Sequence, residues 1–391
     1  MENFEFYNPT RIIFGKGSME SLALMIKTSG GSKVLLHYGG ESIKKNGILE
    51  SVKKTLLENN IEFIEFGGVV VNPHLQHALK GAEISKSKGV DFVLAIGGGS
   101  VIDSAKCLAC AVYNSDIWSY FMDSSKTIKK ALPIGVVLTI PAAGSESSNG
   151  AVITDEISKL KRDACSEVML PKFAIIDPEF TYSLPNEQIA NGACDILAHM
   201  MERYFTSVQG VDFTNHILEG AMKSHIDNSK KIMRNKYDYS LRAEMSLAAI
   251  YAHNGIFSVG RIGDWASHNI EHELSAINNV SHGAGLAIIF PAWMKYIHSL
   301  GKGKEIFVSF AKNVFGVEES LTQEDTILNG IRKLEEFYKE LGLPTRLYEI
   351  NIGEEYFDII SKNALINRTH IGNLVKVNSS DIYKILQLAL K

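Results

Sequence analysis

The chain lacks the features that mark several specialised classes of protein. Four cysteines among 391 residues are too few for a disulfide framework. An apolar run of about 18 residues, which a membrane-spanning helix needs, does not occur. The formal net charge is only −4 and there is no long basic segment, so nothing indicates a nucleic-acid partner. The opening segment has no basic stretch followed by an apolar one, so we expect no secretory signal and a cytoplasmic protein.

The overall balance of residues is that of a globular protein. Hydrophobic residues make up 45% and charged residues 21% of the chain, and the length allows two domains. Cys107 and Cys110 have the spacing of a redox or metal-binding pair. They lie in the apolar helical run CLACAV, however, which favours thiols buried in a core.

The first half alternates short apolar runs with segments of helical spacing. The clearest runs are KVLLHY at 33–38, DFVLAI at 91–96 and IGVVLTI at 134–140. Each is bounded by turn residues, as buried strands of a parallel sheet are. A hairpin-like pair of strands follows within 151–166. This half is therefore predicted to be α/β with a parallel sheet.

The pattern changes after Leu184-Pro185, where apolar residues recur at spacings of three and four almost without interruption. We predict an α/β domain over 1–184 and an all-helical domain over 185–391. A cleft between two such domains is where a cofactor and a metal could meet.

The strand DFVLAI runs directly into Gly97-Gly98-Gly99-Ser100, and a helix begins at once. Glycines let a ligand approach the backbone closely, and a helix N-terminus offers free N–H groups to a phosphate. This arrangement predicts a pyrophosphate site, although the usual GxGxxG fingerprint is absent. A tight turn without a ligand is the alternative. Asp103, one turn into the helix, could cap it or face a cofactor.

Asp195 and His199 stand four residues apart in a segment of helical spacing, so their side chains project from one face. One helix could then supply two metal ligands, with His268 and His282 reaching them from later segments. One carboxylate and three imidazoles suit a first-row metal. A solvated polar face, shared with Glu202, explains Asp195 and His199 equally well when they are considered alone.

Together these segments resemble the iron-containing (group III) alcohol dehydrogenases, most closely their butanol dehydrogenase and aldehyde reductase branch. The resemblance covers nearly the whole chain, including FYNPTRIIFGKG, AIGGGSVIDSAK, LTIPAAGSESSNGAVI, DWASHNIEHELSA and SHGAGLAIIFPAW. Its most specific part is the spacing Asp-x3-His followed by His-x13-His. It implies a metal-dependent oxidoreductase that transfers a hydride between NAD(P)H and a primary alcohol or aldehyde, such as butanol or butyraldehyde.

The resemblance also implies a fold and a role for each matching residue. The fold is an N-terminal α/β domain with a Rossmann-like parallel sheet, followed by an all-α C-terminal domain. The metal, Fe(II) or Zn(II), is expected on Asp195, His199, His268 and His282. His272 and Asp103 are expected near the nicotinamide, with His272 as a candidate proton relay. The other cofactor-lining positions are Gly39, Gly40, Ser42, Gly98, Gly99, Ser100, Thr139, Ser148, Gly150, Lys161, Phe180 and Leu184.

The turn after the first buried strand bears on the choice of nucleotide. Tyr38-Gly39-Gly40 lacks the acidic residue with which NAD-using relatives hold the adenosine ribose. Ser42, Lys44 and Lys45 follow, as in NADP-using members, so we expect NADP, with NAD as the alternative. Glu41, however, stands where close relatives carry a small residue, and its carboxylate could repel a 2′-phosphate or simply face solvent.

Two other functions remain open. A glycerol dehydrogenase-like enzyme would oxidise a polyol, although it uses fewer ligands of this set. A catalytically silent relative would bind nucleotide or metal without turnover, although the complete ligand set argues against it. Dehydroquinate synthase has a related fold but a different metal site. The family resemblance further implies a homodimer.

Overall fold

The structure, a computed structural model, describes residues 1–318 and 322–391. These residues form two compact units, which we name by their content. The α/β unit consists of Tyr7–Leu184 and Tyr237–Asn254, and the helical unit consists of Met1–Phe6, Pro185–Lys236 and the described part of Gly255–Lys391.

A parallel sheet organises the α/β unit. The described strands are β1 Arg11–Phe14, β2 Lys33–Tyr38, β3 Glu62–Phe66, β4 Phe92–Gly97, β5 Ile134–Leu138, β6 Gly150–Asp155, β7 Leu160–Cys165 and β8 Phe173–Ile176. Six of them form the sheet in the order β1, β8, β5, β4, β2, β3, and all its neighbours are parallel. β6 and β7 form the antiparallel hairpin that the sequence predicts.

Both faces of the sheet are buried. Along β4, Val93 and Ala95 enter one hydrophobic cluster, whereas Phe92, Leu94 and Ile96 enter another. Because successive side chains of a strand point to opposite faces, the two clusters lie on the two sides of the sheet. Burial on both sides explains why the parallel strands are continuous apolar runs rather than alternating ones.

The helices of the first half connect the strands and place two glycine turns side by side. They are α1 Leu22–Thr28, α2 Ser42–Lys45, α3 Ile48–Glu58, α4 Leu75–Lys88, α5 Gly99–Ala111 and α6 Trp118–Met122. From β2 the chain passes outward to the edge strand β3, whereas from β4 it passes the other way to β5. β2 and β4 are neighbours, with Tyr38 opposite Ile96. Their carboxyl ends therefore meet at a switch point, where α/β proteins bind ligands.

The second half of the described chain is helical, as the sequence predicts. Its helices are α7 Asn186–Tyr204, α8 Asp212–Arg234, α9 Tyr239–His253, α10 Ala266–Asn278, α11 His282–Ser299, α12 Lys304–Ser309, α13 Gln323–Glu340, α14 Phe357–Asn363 and α15 Ser379–Leu390. With the parallel sheet of the first half, this confirms the predicted fold class.

One helix of the second half belongs with the sheet. Ile250 of α9 packs into one of the two hydrophobic clusters of the sheet, and a Cβ atom at Gly144 would lie 2.5 Å from the carbonyl oxygen of Ala249. Because of such contacts, the compact units differ from the ranges 1–184 and 185–391 at α9, and also at the first six residues. The two contiguous domains stay a prediction.

None of the four cysteines, all of which the structure describes, is in a disulfide bond, and three of them are buried. Burial raises the pKa of Cys107 well above its usual value and that of Cys110 to about 12. Redox and metal-binding cysteines need an accessible thiolate, so the interpretation of this pair as core thiols is confirmed.

None of the described helices is long and apolar enough to span a membrane.

The helices that carry Asp195 and His282, α7 and α11, touch each other through a glycine. A Cβ atom at Gly283 would lie 2.1 Å from the carbonyl oxygen of Asn191 in α7. Only a residue without a side chain allows this approach. Gly283 follows His282 directly and Asn191 lies one turn before Asp195, so the close crossing brings the two predicted ligands towards each other.

We expect Gly283→Ala to lower the free energy of unfolding by about 1–3 kcal/mol, because its methyl group meets backbone that cannot turn aside. Gly220→Ala in α8 is the matched control, since no described atom outside its own helix backbone lies within 4 Å of its Cβ position. Alanine there should stabilise the protein by up to about 1 kcal/mol. Denaturant unfolding measures both variants, and equal stabilities would contradict the close crossing.

Candidate functional site

Asp195 and His199 lie on a buried side of α7. Each is only 5% exposed, so the interpretation of this face as solvated is wrong. His199 Nδ1 lies 2.9 Å from the backbone carbonyl oxygen of Asp195 and 3.1 Å from the Asp195 Oδ1 atom. These two contacts fix the orientation of the His199 ring on α7.

His268 and His282 reach the same place from two later helices. His268 lies in the first turn of α10, and His282 is the first residue of α11. A carboxylate oxygen of Asp195 and one nitrogen of each of these histidines lie within 4.8 Å of one another. His199 is outside that tightest group, but its ring centroid is 4.7 Å from that of His268. The structure therefore brings the four predicted ligands together.

A buried carboxylate lies behind each of the two later histidines. Glu202 of α7, which is 1% exposed, has its Oε1 atom 2.7 Å from His268 Nδ1. Glu271 of α10 is fully buried and contacts His282 Nδ1 through Oε2. Burial raises the pKa of Glu202 to about 7, although the hydrogen bonds from the His268 and Trp265 N–H groups oppose the rise. An ionised carboxylate only accepts hydrogen bonds, so in that form the facing Nδ1 carries the proton and Nε2 keeps its lone pair.

The donor set fits a divalent first-row cation. His268 Nε2 is buried with no hydrogen-bond partner among the residues that the structure describes, which is costly unless something binds it. Asp195 Oδ1 also lacks a hydrogen bond of good geometry and lies 3.1 Å from His199 Nδ1 and 3.7 Å from His282 Nε2. Burial alone would raise the pKa of the Asp195 carboxyl, but the nearby histidines hold it below its usual value. Burial, with His199 and His282, holds the pKa of His268 well below its usual value. An ionised carboxylate and neutral imidazoles are the forms that bind metal.

His272, the candidate proton relay, lies one turn after His268 on α10. It is buried, and its ring centroid is 5.6 Å from that of His282. Together with Glu271 and His282 it forms a second group of ligand atoms that lie within 4.8 Å of one another. The structure therefore places His272 beside the cluster, and its role as a relay stays a prediction.

The glycine turn after β4 is shaped by close approach. A Cβ atom at Gly97 would lie 2.5 Å from Val101 Cγ2, and one at Gly98 would lie 2.7 Å from Ile140 Cβ. α5 begins at Gly99, and no side chain of the described residues caps its first turn. Free N–H groups at a helix start, beside residues without side chains, can hold a phosphate.

Asp103 faces the loop that follows β5 and the start of β6 rather than open solvent. Its Oδ1 atom accepts a hydrogen bond from Ser145 Oγ at 2.5 Å, and its Oδ2 atom accepts one from the Val152 N–H at 2.9 Å. Burial raises the pKa of Asp103, and the ammonium of Lys106 opposes this rise. The contacts of Asp103 position this loop, and its predicted role near the nicotinamide stays a prediction.

Lys106 holds the same loop from within the core. Its fully buried Nζ donates to the carbonyl oxygens of Ser145, Ser148 and Gly150 at 2.7, 2.9 and 2.7 Å. Burial lowers the pKa of Lys106 to about 8, although Asp103 opposes the fall. Two of the predicted cofactor-lining residues, Ser148 and Gly150, are therefore held in place through their backbone.

The other predicted cofactor residues lie in the α/β unit. The Thr139 N–H donates to the Gly97 carbonyl at 3.0 Å, and Lys161 Nζ donates to Asn72 Oδ1 at 3.0 Å. The remaining positions are Gly39 and Gly40 after β2, Ser42 at the start of α2, Ser100 in the first turn of α5, Phe180 packed against the sheet core and the buried Leu184. Their contact with a nucleotide stays a prediction.

Sequence reasoning missed the buried charges that support these sites. Glu202 and Glu271 each stand three residues after a predicted ligand, His199 and His268 respectively, which puts them on the ligand side of their helices. That His-x-x-Glu spacing was the available signal. Lys106 gave a weaker signal, a lysine inside an apolar helical run, which burial makes unusual unless it is paired.

Family models match nearly the whole chain. The model described as iron-containing alcohol dehydrogenase matches residues 9–178, and the C-terminal model of the Fe-containing alcohol dehydrogenase family matches residues 189–390.

Full-length relatives agree with these matches. The NADH-dependent butanol dehydrogenase A of Clostridium acetobutylicum is 39% identical over 392 residues, 99% of each chain. The NADPH-dependent aldehyde reductase YqhD of Escherichia coli is 35% identical over 90% of each chain. The crystal structure of an NADH-dependent butanol dehydrogenase A from Thermotoga maritima superposes with a TM-score of 0.95 at 41% identity, covering 100% of this chain and 99% of that one. The chain belongs to the iron-containing alcohol dehydrogenase family.

Proposed function

We propose that this protein transfers a hydride between NAD(P)H and a primary alcohol or aldehyde of the butanol and butyraldehyde type, with one divalent cation bound. The observation that carries the proposal is the convergence of Asp195 with His199, His268 and His282, in which His268 Nε2 is buried without a hydrogen-bond partner in the described chain and Asp195 Oδ1 has only ion-pair contacts with histidines of the cluster. Family membership and the printed activities of full-length relatives support the reaction type.

We assign the cation to Asp195, His199, His268 and His282. Three neutral imidazoles and one carboxylate suit Fe(II) and Zn(II). When bound, the cation supplies a Lewis acid that stabilises negative charge on the substrate oxygen. The chain itself fixes the donors on three helices and excludes water from most of them. The His282 side chain is 24% exposed, against 7% for Asp195, which leaves an approach for a small substrate.

We assign the nucleotide to the switch point of the sheet, with its pyrophosphate at Gly98, Gly99 and Ser100. The free N–H groups of the first turn of α5 bind and orient the phosphates there. The nicotinamide supplies or accepts the hydride, so the protein needs no side-chain nucleophile. The proton of the alcohol must still leave, and His272, beside the cluster, is the proposed relay. A homodimer and a cytoplasmic location stay predictions.

The preference between the two nucleotides depends on charges after β2. The sequence predicts NADP because Lys44 and Lys45 follow the glycine turn. In the structure the Glu41 Oε1 atom lies 2.8 Å from Lys44 Nζ. The Glu41 carboxylate therefore forms an ion pair with Lys44, one of the two lysines on which the prediction of NADP depends. We therefore propose NADP(H) as the nucleotide, with a preference that Glu41 weakens.

Metal-stripped protein should reduce butyraldehyde at least about a hundredfold more slowly than protein reloaded with Fe(II) or Zn(II), as on loss of other groups that stabilise charge on a reacting oxygen. The assay follows oxidation of NADPH and of NADH, with glycerol oxidation run in parallel. Unchanged turnover after metal removal would contradict the metal's role. Bound metal without turnover on any of these substrates would indicate a silent relative, and faster turnover of glycerol would favour polyol oxidation.

The same assay tests the proposed relay. His272→Ala should keep its metal content but lose turnover in a pH-dependent way, because the substrate proton then has no imidazole to receive it. Turnover equal to wild type at every pH would remove His272 from the mechanism.

The wild-type protein should have a lower KM for NADPH than for NADH, and Glu41→Gln should increase that preference by about two- to fivefold, the size expected for one exposed charge interaction. Glu62→Gln is the matched control, because Glu62 also pairs with a lysine, Lys33, at 3.2 Å, but at the opposite end of β2 and β3. A lower wild-type KM for NADH would contradict NADP. An unchanged ratio in Glu41→Gln would exclude the role of Glu41.

A further inference from the structure

We propose that Glu202 and Glu271 are positioning residues for the metal. Glu202 orients the imidazole of His268, Glu271 orients that of His282, and each imidazole thereby presents its Nε2 atom to the cation. The inference deepens the proposed function and rests on its metal site. The arrangement forms a chain of supports, in which α7 holds the histidine of α10 and α10 holds the histidine of α11.

Glu202 holds both the ring and the backbone at the start of α10. Its Oε1 atom accepts hydrogen bonds from His268 Nδ1–H at 2.7 Å and from the His268 backbone N–H at 3.1 Å, and its Oε2 atom accepts one from the Trp265 N–H at 2.5 Å. The Glu202 carboxylate thus fixes the backbone at the start of α10 and also orients the imidazole of His268. A shift of α10 along its axis would break all three bonds together.

The backbone of Trp265, the residue before α10, has a strained conformation that contacts with α7 maintain. Trp265 has a φ of +67°, in the left-handed region that bulky residues rarely adopt. Such strain persists only where surrounding contacts hold it, and it is concentrated at functional sites. Glu202 binds the Trp265 N–H, and the guanidinium carbon of Arg203 lies 4.8 Å from the centroid of the indole ring. Adjacent residues of α7 therefore hold the turn that delivers His268.

The Glu271 side chain packs against Gly285 of α11, where a larger residue would clash with it. Its carboxylate accepts hydrogen bonds from His282 Nδ1–H and from Ser275 Oγ. A Cβ atom at Gly285 would lie 2.7 Å from Glu271 Cγ, so a glycine one turn into α11 leaves the room that this side chain fills. Gly285 therefore allows Glu271 to reach His282.

The combination of a buried carboxylate on one ring nitrogen and no hydrogen bond on the other distinguishes His268 from histidines of the core. A core histidine can use both ring nitrogens, as His37 does with the Phe66 carbonyl and Ser104 Oγ. It can also leave one without a hydrogen bond, as His225 does at Nδ1 while its Nε2 contacts the Ala193 carbonyl. Neither of these rings has a carboxylate on a ring nitrogen within the described chain. His268 has a carboxylate on Nδ1 but no hydrogen-bond partner on Nε2 within the described chain. A carboxylate behind a ring whose other nitrogen is vacant is the arrangement of a metal ligand.

The test is the affinity of the metal-stripped full-length protein for Co(II), measured by competition with a chromophoric chelator and without nucleotide or alcohol. Glu202→Gln should weaken Co(II) binding by about 10- to 100-fold, the range for loss of such a support, and should shift the visible absorption of bound Co(II). Its amide must turn an N–H towards either Trp265 or His268, each of which is a donor. Glu271→Gln should cause a smaller loss, because its amide can donate to Ser275 Oγ while its oxygen serves His282.

Two further variants separate positioning from general stability. Gly285→Ala displaces Glu271 without removing any polar group, so it should weaken Co(II) binding while the metal-free protein remains folded. Glu219→Gln is the matched control, because Glu219 is a buried acid of the same unit that accepts a hydrogen bond from Tyr204 Oη at 2.6 Å. It should leave the affinity and the Co(II) spectrum unchanged, even if thermal unfolding shows that it destabilises the protein.

Three outcomes would overturn the proposal: Glu202→Gln with wild-type affinity, Glu219→Gln with an equal loss of affinity, or a wild-type protein that binds no Co(II). Tight Co(II) binding by the wild type, lost in Glu202→Gln, would support it even if no alcohol or aldehyde were turned over. Failure of the proposed reaction is thereby distinguishable from failure of this inference.

Discussion

The burial of one carboxylate among three imidazoles is the constraint on which the helical unit depends. A buried polar atom without a hydrogen bond costs free energy, yet His268 Nε2 has none in the described chain and Asp195 Oδ1 contacts only histidines of the cluster. Three helices converge to create this situation, and two more buried carboxylates stand behind the rings. A bound cation explains this arrangement, because the free energy of metal binding offsets the free energy lost when the donor atoms are removed from water.

The proposed metal site and the proposed nucleotide site both depend on glycines at positions where a Cβ atom would clash with a neighbouring segment. Gly283 lets α11 approach the backbone of α7, and Gly285 leaves space for Glu271. In the α/β unit, Gly98 brings the turn after β4 against Ile140. Buried charges then fix what the glycines bring together: Glu202 and Glu271 around the metal site, and Asp103 with Lys106 around the loop after β5.

The fold class and the pairing of Asp195 with His199 on one helix face follow from local patterns, whereas the family resemblance was needed to add His268 and His282 to the proposed ligands. Continuous apolar runs followed by glycine turns predict buried parallel strands, and an Asp and a His four apart must share a helix face. The supports were not predictable in the same way, because Glu202 and Glu271 serve histidines on other helices, and hydrophobic periodicity says nothing of which helices touch. The position of α9 in the α/β unit was missed for the same reason, since its contact at Gly144 joins segments about 100 residues apart.

X-ray absorption at the metal edge of the Zn(II)-loaded full-length protein tests the central claim most directly, because it counts the donor atoms around the ion. The account predicts three imidazole nitrogens at about 2.0–2.1 Å and one carboxylate oxygen, with no sulfur donor. The three-imidazole signal should fall by one in His282→Ala. Sulfur in the inner coordination sphere, or an unchanged imidazole count in that variant, would contradict the assignment of the metal to Asp195, His199, His268 and His282.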